Sequence, residues 1–452
     1  MMGKYQGYEK YNDSGVEWLG KIPEYWKAVR LKHITNQIID GAHFTPTYVN
    51  EGIPFLRVTD IVGAKNNSIN MNNIKFIPEG EHNILSIRCK PEKGDLLYSK
   101  NGTIGVPRIV DWAFDFSIFV SLCLIKVRKQ KLNVEFLQYY LLGKLTETQI
   151  NIGAKSNTVS NLHLDKIKEF WTTLPPLDEQ EAIARFLDYK TKQIDGLIKK
   201  KETLIQKLDE KRTALISHAV TKGLDPNVPM KDSSIEWLGE IPKHWEVMHL
   251  KRKAQVRGGV AKGRKLDKEK TLELPYLRVA NVQDGYIDIS HISYIEVLHN
   301  EIERYSLHDG DILMNEGGDN DKLGRGAVWK AEINPCLHQN HVFSVRPNDK
   351  RMSSWIALLT SSSYAKFYFF SRAKQSTNLA SISSTNIKLF PAIFPPKSER
   401  QEIINHISNI TAQIDHQKTN IKEAIELLKE YRIALITNAV TGKIDVRQVP
   451  IP

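Results

Sequence analysis

Residues 13–32 read DSGVEWLGKIPEYWKAVRLK, and residues 232–251 read DSSIEWLGEIPKHWEVMHLK, an offset of 219 residues (232 − 13). A second pair of blocks follows the same rule. QID and an amphipathic run ending RTALISHAVT at residues 193–221 return as QID and RIALITNAVT at residues 413–441, an offset of 220 (413 − 193). Solenoid repeats have periods of roughly 20–50 residues, so a period this long marks a duplicated domain. Two similar modules on one chain suit a target with two similar halves.

Each half divides at a double proline, LPPLDEQE at residues 174–181 and FPPKSERQE at residues 394–402. Asp178 with Glu181, and Ser398 with Gln401, read as capping boxes that satisfy free backbone amides at a helix start. Beyond them Leu187, Ile194, Leu208 and Leu215 recur by sevens, as do Ile407, Ile414, Ile421, Leu428 and Leu435. Ile183, Leu197, Leu204, Ile403 and Ile410 are expected to supply the second stripe of a heptad seam. Two helices of about 40 residues, each about 60 Å long, are predicted to pack on one another. Gly223 and Gly442 stand where a left-handed residue ends a helix.

The remaining text is β-rich, with strand-like runs at residues 53–62 and 274–283. GDLLYSKNGTIG at residues 94–105 is expected to form two strands joined by a two-residue Asn101-Gly102 turn. The predicted class is α+β. Two mixed, β-led modules (1–175 and 226–396) alternate with two long spacer helices (176–225 and 397–452). The helices are expected to form an antiparallel coiled coil within an internal pseudo-twofold repeat.

Composition narrows the target. Lys and Arg number 63 against 52 Asp and Glu, a net charge of +11. That excess favours a polyanion, with double-stranded DNA ahead of an anionic membrane because the chain shows no basic amphipathic anchor. No run approaches the ~18 apolar residues of a membrane span, and the N-terminal text has no signal core. The expected location is the cytoplasm. Cys89, Cys123 and Cys336 lie far apart and lack CxxC spacing, so neither a disulfide framework nor a metal site is expected.

Catalytic signatures are missing from the text. GVAKGRK at residues 259–265 lacks the Gly-Lys-Ser/Thr ending of a phosphate loop. The double prolines stand in Leu-Pro-Pro-Leu and Phe-Pro-Pro-Lys, without the acceptor side chain of an amino-methyltransferase motif. No catalytic residue is assigned.

Candidate DNA contacts are more plentiful. Lys251, Arg252, Lys253, Arg257, Lys262, Arg264 and Lys265 form a cationic, glycine-containing stretch suited to phosphates. SNTVSN (with Ser156, Asn157 and Asn161) and KQSTN (with Lys374, Gln375 and Asn378) occupy equivalent places in the two halves. Asn and Gln can pair bidentately with adenine, and Arg or Lys with guanine. Lys100, Asn101 and Thr103 form a hairpin tip whose counterpart, residues 315–326, carries Arg325. The tips differ while the Trp-Leu-Gly text and the helices persist. Trp18, Trp26, Trp237 and Trp245 are read as packing within the modules.

These blocks, in this duplicated order, resemble the specificity subunit of a type I restriction-modification enzyme. The likeness rests on YNDSGVEWLGKIPEYW, PFLRV, GDLLYSKNGTIG, LPPLDEQEAIARFLD and RTALISHAVTKGLD, and covers nearly the whole chain. It implies two target-recognition domains that read a split DNA site, held apart by paired helices. It also implies two methyltransferase subunits that use S-adenosylmethionine on adenine, and restriction subunits that use ATP and magnesium. Two other functions fit the residues: a bivalent sequence-specific DNA-binding regulator, and a single-chain restriction or modification enzyme with unrecognised motifs.

Overall fold

The computed structural model describes residues 5–63, 69–152, 161–266, 270–318, 323–324, 326–375 and 380–451. Two compact units emerge. The first joins Met1–Lys201 with Lys422–Pro452, and the second is Glu202–Ile421. Each unit therefore holds one β-led module and half of each long helix, Leu177–Lys222 and Lys397–Val440.

The helix halves run antiparallel inside each unit. In the first, Ile183, Phe186, Leu187 and Ile194 share a core with Leu435, Ile436, Ala439 and Val440. In the second, Ile216, Ala219 and Val220 share one with Ile403 and Ile407. Burying each Leu or Ile side chain contributes about 1.5–3 kcal/mol. Of the predicted seam, Leu187, Ile194, Leu208, Ile407, Ile414 and Leu435 are buried, while Leu215, Ile421 and Leu428 are half-buried. Leu197 and Leu204 are exposed, contrary to expectation, and Ile198 and Ile205 are half-buried in their stead. A heptad alternates steps of three and four. Apolar residues fill both choices here, and only packing decides between them.

The capping boxes also differ from expectation. Both helices start earlier, at Leu177 and Lys397. The Pro176 carbonyl accepts from the Glu179 and Gln180 amides, and the Pro396 carbonyl from the Arg400 amide. Asp178 and Ser398 are thus inside the first turn, not ahead of it. At the other end the expectation holds, since Gly223 (φ 80°) and Gly442 (φ 69°) adopt the left-handed conformation that closes each helix.

The modules share one topology. The first has a four-stranded antiparallel sheet in the order Thr35–Asp40, Leu122–Val127, Leu96–Ser99, Pro107–Ile109. The second repeats it as Ala254–Arg257, Val342–Pro347, Ile312–Asn315, Gly326–Val328. The central strands, LCLIKV and VFSVRP, are buried almost throughout, which explains their near-continuous apolar text. A three-stranded sheet lies beside each, centred on Ile53–Leu56 and on Thr271–Leu277. Gly41 and Gly259 serve the same close approach in the two modules. A Cβ would fall 1.9 Å from the Ile118 carbonyl oxygen in one and 2.0 Å from that of His338 in the other.

Each module is tied to its helix by a repeated tryptophan. Trp26 Nε1 donates to Glu179 Oε2 at 3.2 Å, and Trp245 Nε1 to Glu399 Oε2 at 3.0 Å. Both indoles are buried, so their packing role is as expected. A carboxylate in the first turn also suits the positive end of the helix dipole. Trp18 is half-buried against the first core, and Trp237, though 40% exposed, packs within its module on Phe367 and Tyr368.

Candidate nucleic-acid interface

One end of each four-stranded sheet collects most of the described polar candidates, and backbone hydrogen bonds explain why. In the first module the Val120 amide donates to Ala42 O, the Lys100 amide to Ser121 O, and the Leu162 amide to Lys100 O. Asn101 bridges Asn161. In the second the Asn340 amide donates to Val260 O, the Glu316 amide to His341 O, and the Ile382 amide to Glu316 O. Gly317–Gly318 pairs with Ala380–Ser381, which pairs in turn with Lys374–Gln375. The tip and the polar stretch, far apart in sequence, thus form one rim in each module. Ser156, Asn157, Arg325 and Asn378 lie outside the described residues.

The tip is not the expected two-residue turn. Strands Leu96–Ser99 and Pro107–Ile109 pair antiparallel, but residues 100–106 intervene. The Gly105 amide donates to Ser99 O, and Gly102 and Gly105 take φ of 73° and 91°. The competing bridge from Asn101 to Asn161 draws the chain away from a tight hairpin.

Lys100 is buried with its Nζ 3.4 Å from Asp40 Oδ2, so it serves an internal carboxylate instead of presenting a free cation. Asp40 also meets Arg88 Nη2 at 2.7 Å and His43 Nε2 at 3.0 Å. Burial raises the Asp40 pKa, but hydrogen bonds to His43 and Arg88 and the charge of Lys100 outweigh it and hold the carboxyl below its usual range. The exposed cationic groups of this cluster are therefore Arg88 and, when protonated, His43. Sequence reading missed both, because their only link to the tip is Asp40. Asn101 is half-buried, and Thr103 and Asn161 are exposed.

In the second module Lys374 and Gln375 are exposed at the rim. Glu316 takes the place of Lys100 and meets His341 Nδ1 at 2.6 Å through Oε2. Neither was anticipated. Equivalent backbone positions thus carry opposite charge in the two modules.

The cationic stretch is two groups, not one loop. Lys251 and Arg252 sit in the turn Leu250–Arg252, and Lys253 Nζ lies 5.9 Å from the centre of the Phe394 ring. Strand Ala254–Arg257 then carries the chain about 13 Å to the rim end at about 3.3 Å per residue. Arg257 Nη2 donates to the Arg304 carbonyl, and Arg264 Nη1 is 2.7 Å from Glu301 Oε1. Lys262 and Lys265 remain exposed, without a hydrogen bond or ion pair among the described residues.

The rims offer exposed cations for phosphates and Asn, Gln, Ser and Thr groups for base edges. Thiol chemistry is disfavoured, since burial pushes the Cys89 and Cys336 thiols up to about 12. Among the described residues no group of three or more His, Cys, Asp or Glu is placed to hold a metal ion. No described helix is long and apolar enough to cross a membrane.

Comparison with known proteins gives a consistent result. The family model described as type I restriction modification DNA specificity domain matches twice, at residues 23–207 and 242–427. The EcoKI specificity subunit of Escherichia coli (strain K12) is 22% identical, with 95% of this chain and 91% of the relative covered. The EcoBI specificity subunit of Escherichia coli is 23% identical, with 96% and 90% covered. A chain solved in work on "complex assembly and conformational transition of the type I R-M system" shares the fold with a TM-score of 0.67. It is 14% identical, with 94% of this chain and 99% of that one covered.

Proposed function

This chain belongs to the type I restriction-modification DNA specificity family, and we propose that it acts as the DNA-reading, non-catalytic subunit of such a system. Residues 1–175 and 226–396 each read one part of a bipartite double-stranded DNA site. The spacer helices in 176–225 and 397–452 fix the distance between the parts. Two adenine methyltransferase subunits bring S-adenosylmethionine, and restriction subunits bring ATP and magnesium, in the cytoplasm.

The observation that carries this reading is the rim built twice on equivalent backbone. Exposed Asn161 in one module corresponds to exposed Ser381 in the other, and buried Lys100 to Glu316, so the frame is common while the side chains set on the rim differ. Base contacts specify sequence, whereas phosphate contacts position the protein. The test is methylome sequencing of the host with and without this gene, and with residues 232–395 replaced by the module of a relative. A bipartite adenine mark should disappear in the first case and change in one part alone in the second. If both parts change together, the modules are not independent readers. Methyl transfer by the purified chain alone would overturn the non-catalytic assignment.

A further inference from the structure

Duplication within one chain records which surface positions have been free to change. Between residues 13–32 and 232–251, three exposed positions have reversed charge: Lys21 to Glu240, Glu24 to Lys243, and Lys27 to Glu246. Most positions that have not changed have a structural reason inside their own unit. Asp13 Oδ1 accepts from the Gly15 amide at 2.8 Å, and Asp232 Oδ1 from the Ser234 amide at 2.9 Å. Leu19 and Leu238 are buried, and Gly20 and Gly239 take φ of 68° and 67°.

Glu17 and Glu236 have no such reason, and Trp18 and Trp237 have one only for their inner edges, which pack on the first core and on Tyr368. Both glutamates are exposed and make no hydrogen bond or ion pair among the described residues. Neither indole nitrogen finds an acceptor there, in contrast to Trp26 and Trp245. Trp18 lines an open cleft of about 400 Å³ with Tyr11, Lys21 and Lys443. Trp237, 40% exposed, rests against Tyr368 and against Phe367, itself 52% exposed, with ring centroids 6.4 and 6.0 Å away. An unchanged carboxylate beside an accessible indole, twice, among neighbours that reversed charge, points to a partner that contacts each half in the same way.

We infer that Glu17–Trp18 and Glu236–Trp237 are paired docking points for one protein that binds this chain in two copies. Each copy receives an indole in an apolar slot and places a cation against the glutamate. DNA is disfavoured as the occupant because a carboxylate repels phosphate, whereas tryptophan is a favoured anchor of protein interfaces. The flanking charges cannot be what both copies share, since Lys21 and Glu240 are opposite in sign. This rests on the function proposed above, in which the duplicated partner is the adenine methyltransferase subunit.

The test uses the full chain with the methyltransferase subunit that co-purifies with it from the host, measured by native mass spectrometry and titration. The wild type should bind two copies. Trp18→Ala and Trp237→Ala should each weaken one site roughly 30-fold or more, the affinity equivalent of the ~2 kcal/mol typical of an interface anchor, and the double variant should weaken both. Glu17→Lys and Glu236→Lys, which alter only exposed groups, should act in the same direction. Thermal unfolding of the two glutamate variants, and DNA binding by all the isolated variants, should match the wild type. Unchanged binding of two copies by both double variants overturns the docking assignment and leaves the DNA-reading function standing. A wild-type chain that binds no methyltransferase overturns both. Loss of self-association in the double variants, with methyltransferase binding intact, would make a second copy of this chain the occupant and also overturn the inference.

Discussion

Arg432 donates through Nε to Asp195 Oδ1 at 2.9 Å. Moving each residue by 220 positions, toward its copy, gives Arg212 and Asp415, which also meet at 2.9 Å. One ion pair is therefore made twice, once in each unit, with the two long helices exchanging the roles of donor and acceptor. Lys418 with Asp209, at 2.5 Å, follows the same antiparallel register.

Both pairs are more than a quarter exposed, so each is expected to contribute only about 0.2–1 kcal/mol. Asp195→Arg places like charges together and should lower stability by more than Asp195→Ala does. Adding Arg432→Asp should restore most of the loss. Urea unfolding of the four proteins measures the coupling, and a double variant no better than Asp195→Arg alone would argue against the pairing.

A chain ending near Asp225 carries both Asp195 and Arg212, together with Leu187, Ile194, Leu208 and Leu215. It has everything needed to pair its helix with that of a second copy of itself, an isologous arrangement. Analytical ultracentrifugation should show a dimer, and with the methyltransferase the site methylated should be an interrupted palindrome. Lys201, which stands at the seam position held by Ile421 in the second helix, opposes this weakly when two copies bring it together. A folded, partner-binding monomer would count against it.

The exposed and the paired cations of residues 262–265 should separate in their salt dependence. Neutralising Lys262 and Lys265 should weaken binding to all DNA sequences and reduce the log–log salt slope by about 0.9 for each phosphate that is no longer neutralised. Arg264→Gln should leave that slope nearly unchanged and lower stability instead, because its guanidinium pairs with Glu301, whose carboxyl that hydrogen bond holds below the usual range. Fluorescence anisotropy across a salt series, with matched melts, distinguishes the outcomes.

His338 gives the second unit a pH limit. Burial lowers its pKa to about 4 from an ordinary 6.5, partly offset by the hydrogen bond its Nδ1 makes with the Val342 carbonyl at 2.6 Å. The unfolded chain binds this proton more readily, so its contribution is complete above about pH 6.5 and is lost as pH falls toward 4. The loss is on the order of 3 kcal/mol. Urea midpoints from pH 8 to 4.5 should fall more steeply for the wild type than for His338→Gln. Parallel slopes would place the titration elsewhere.

The α+β class, the two long helices and their glycine ends were legible from local text, because heptads and glycine caps are short-range signals, and the duplication was legible by matching one half of the text to the other. Those signals reached their limit at Leu197 and Leu204, where adjacent apolar residues left the seam ambiguous, and at Asp178 and Ser398, where proline carbonyls had already begun the helices. The candidate site was legible as two stretches but not as a surface. Asn101 meets Asn161 only after the sheet forms, and the cluster containing Arg88 and His43 depends on Asp40 lying beside Lys100.

The sequence by itself determined that one architecture is built twice, since duplicated text specifies duplicated secondary structure. Only the tertiary structure decided which cations are free, turning Lys100 and Arg264 inward to Asp40 and Glu301 while leaving Lys262 and Lys265 exposed. It also decided that each unit takes half of both helices, with Asp195 finding its partner 237 residues away. The physical reason is common to both. A charge or an apolar face is satisfied by whatever the fold brings within a few ångströms, and sequence spacing says little about which group that is.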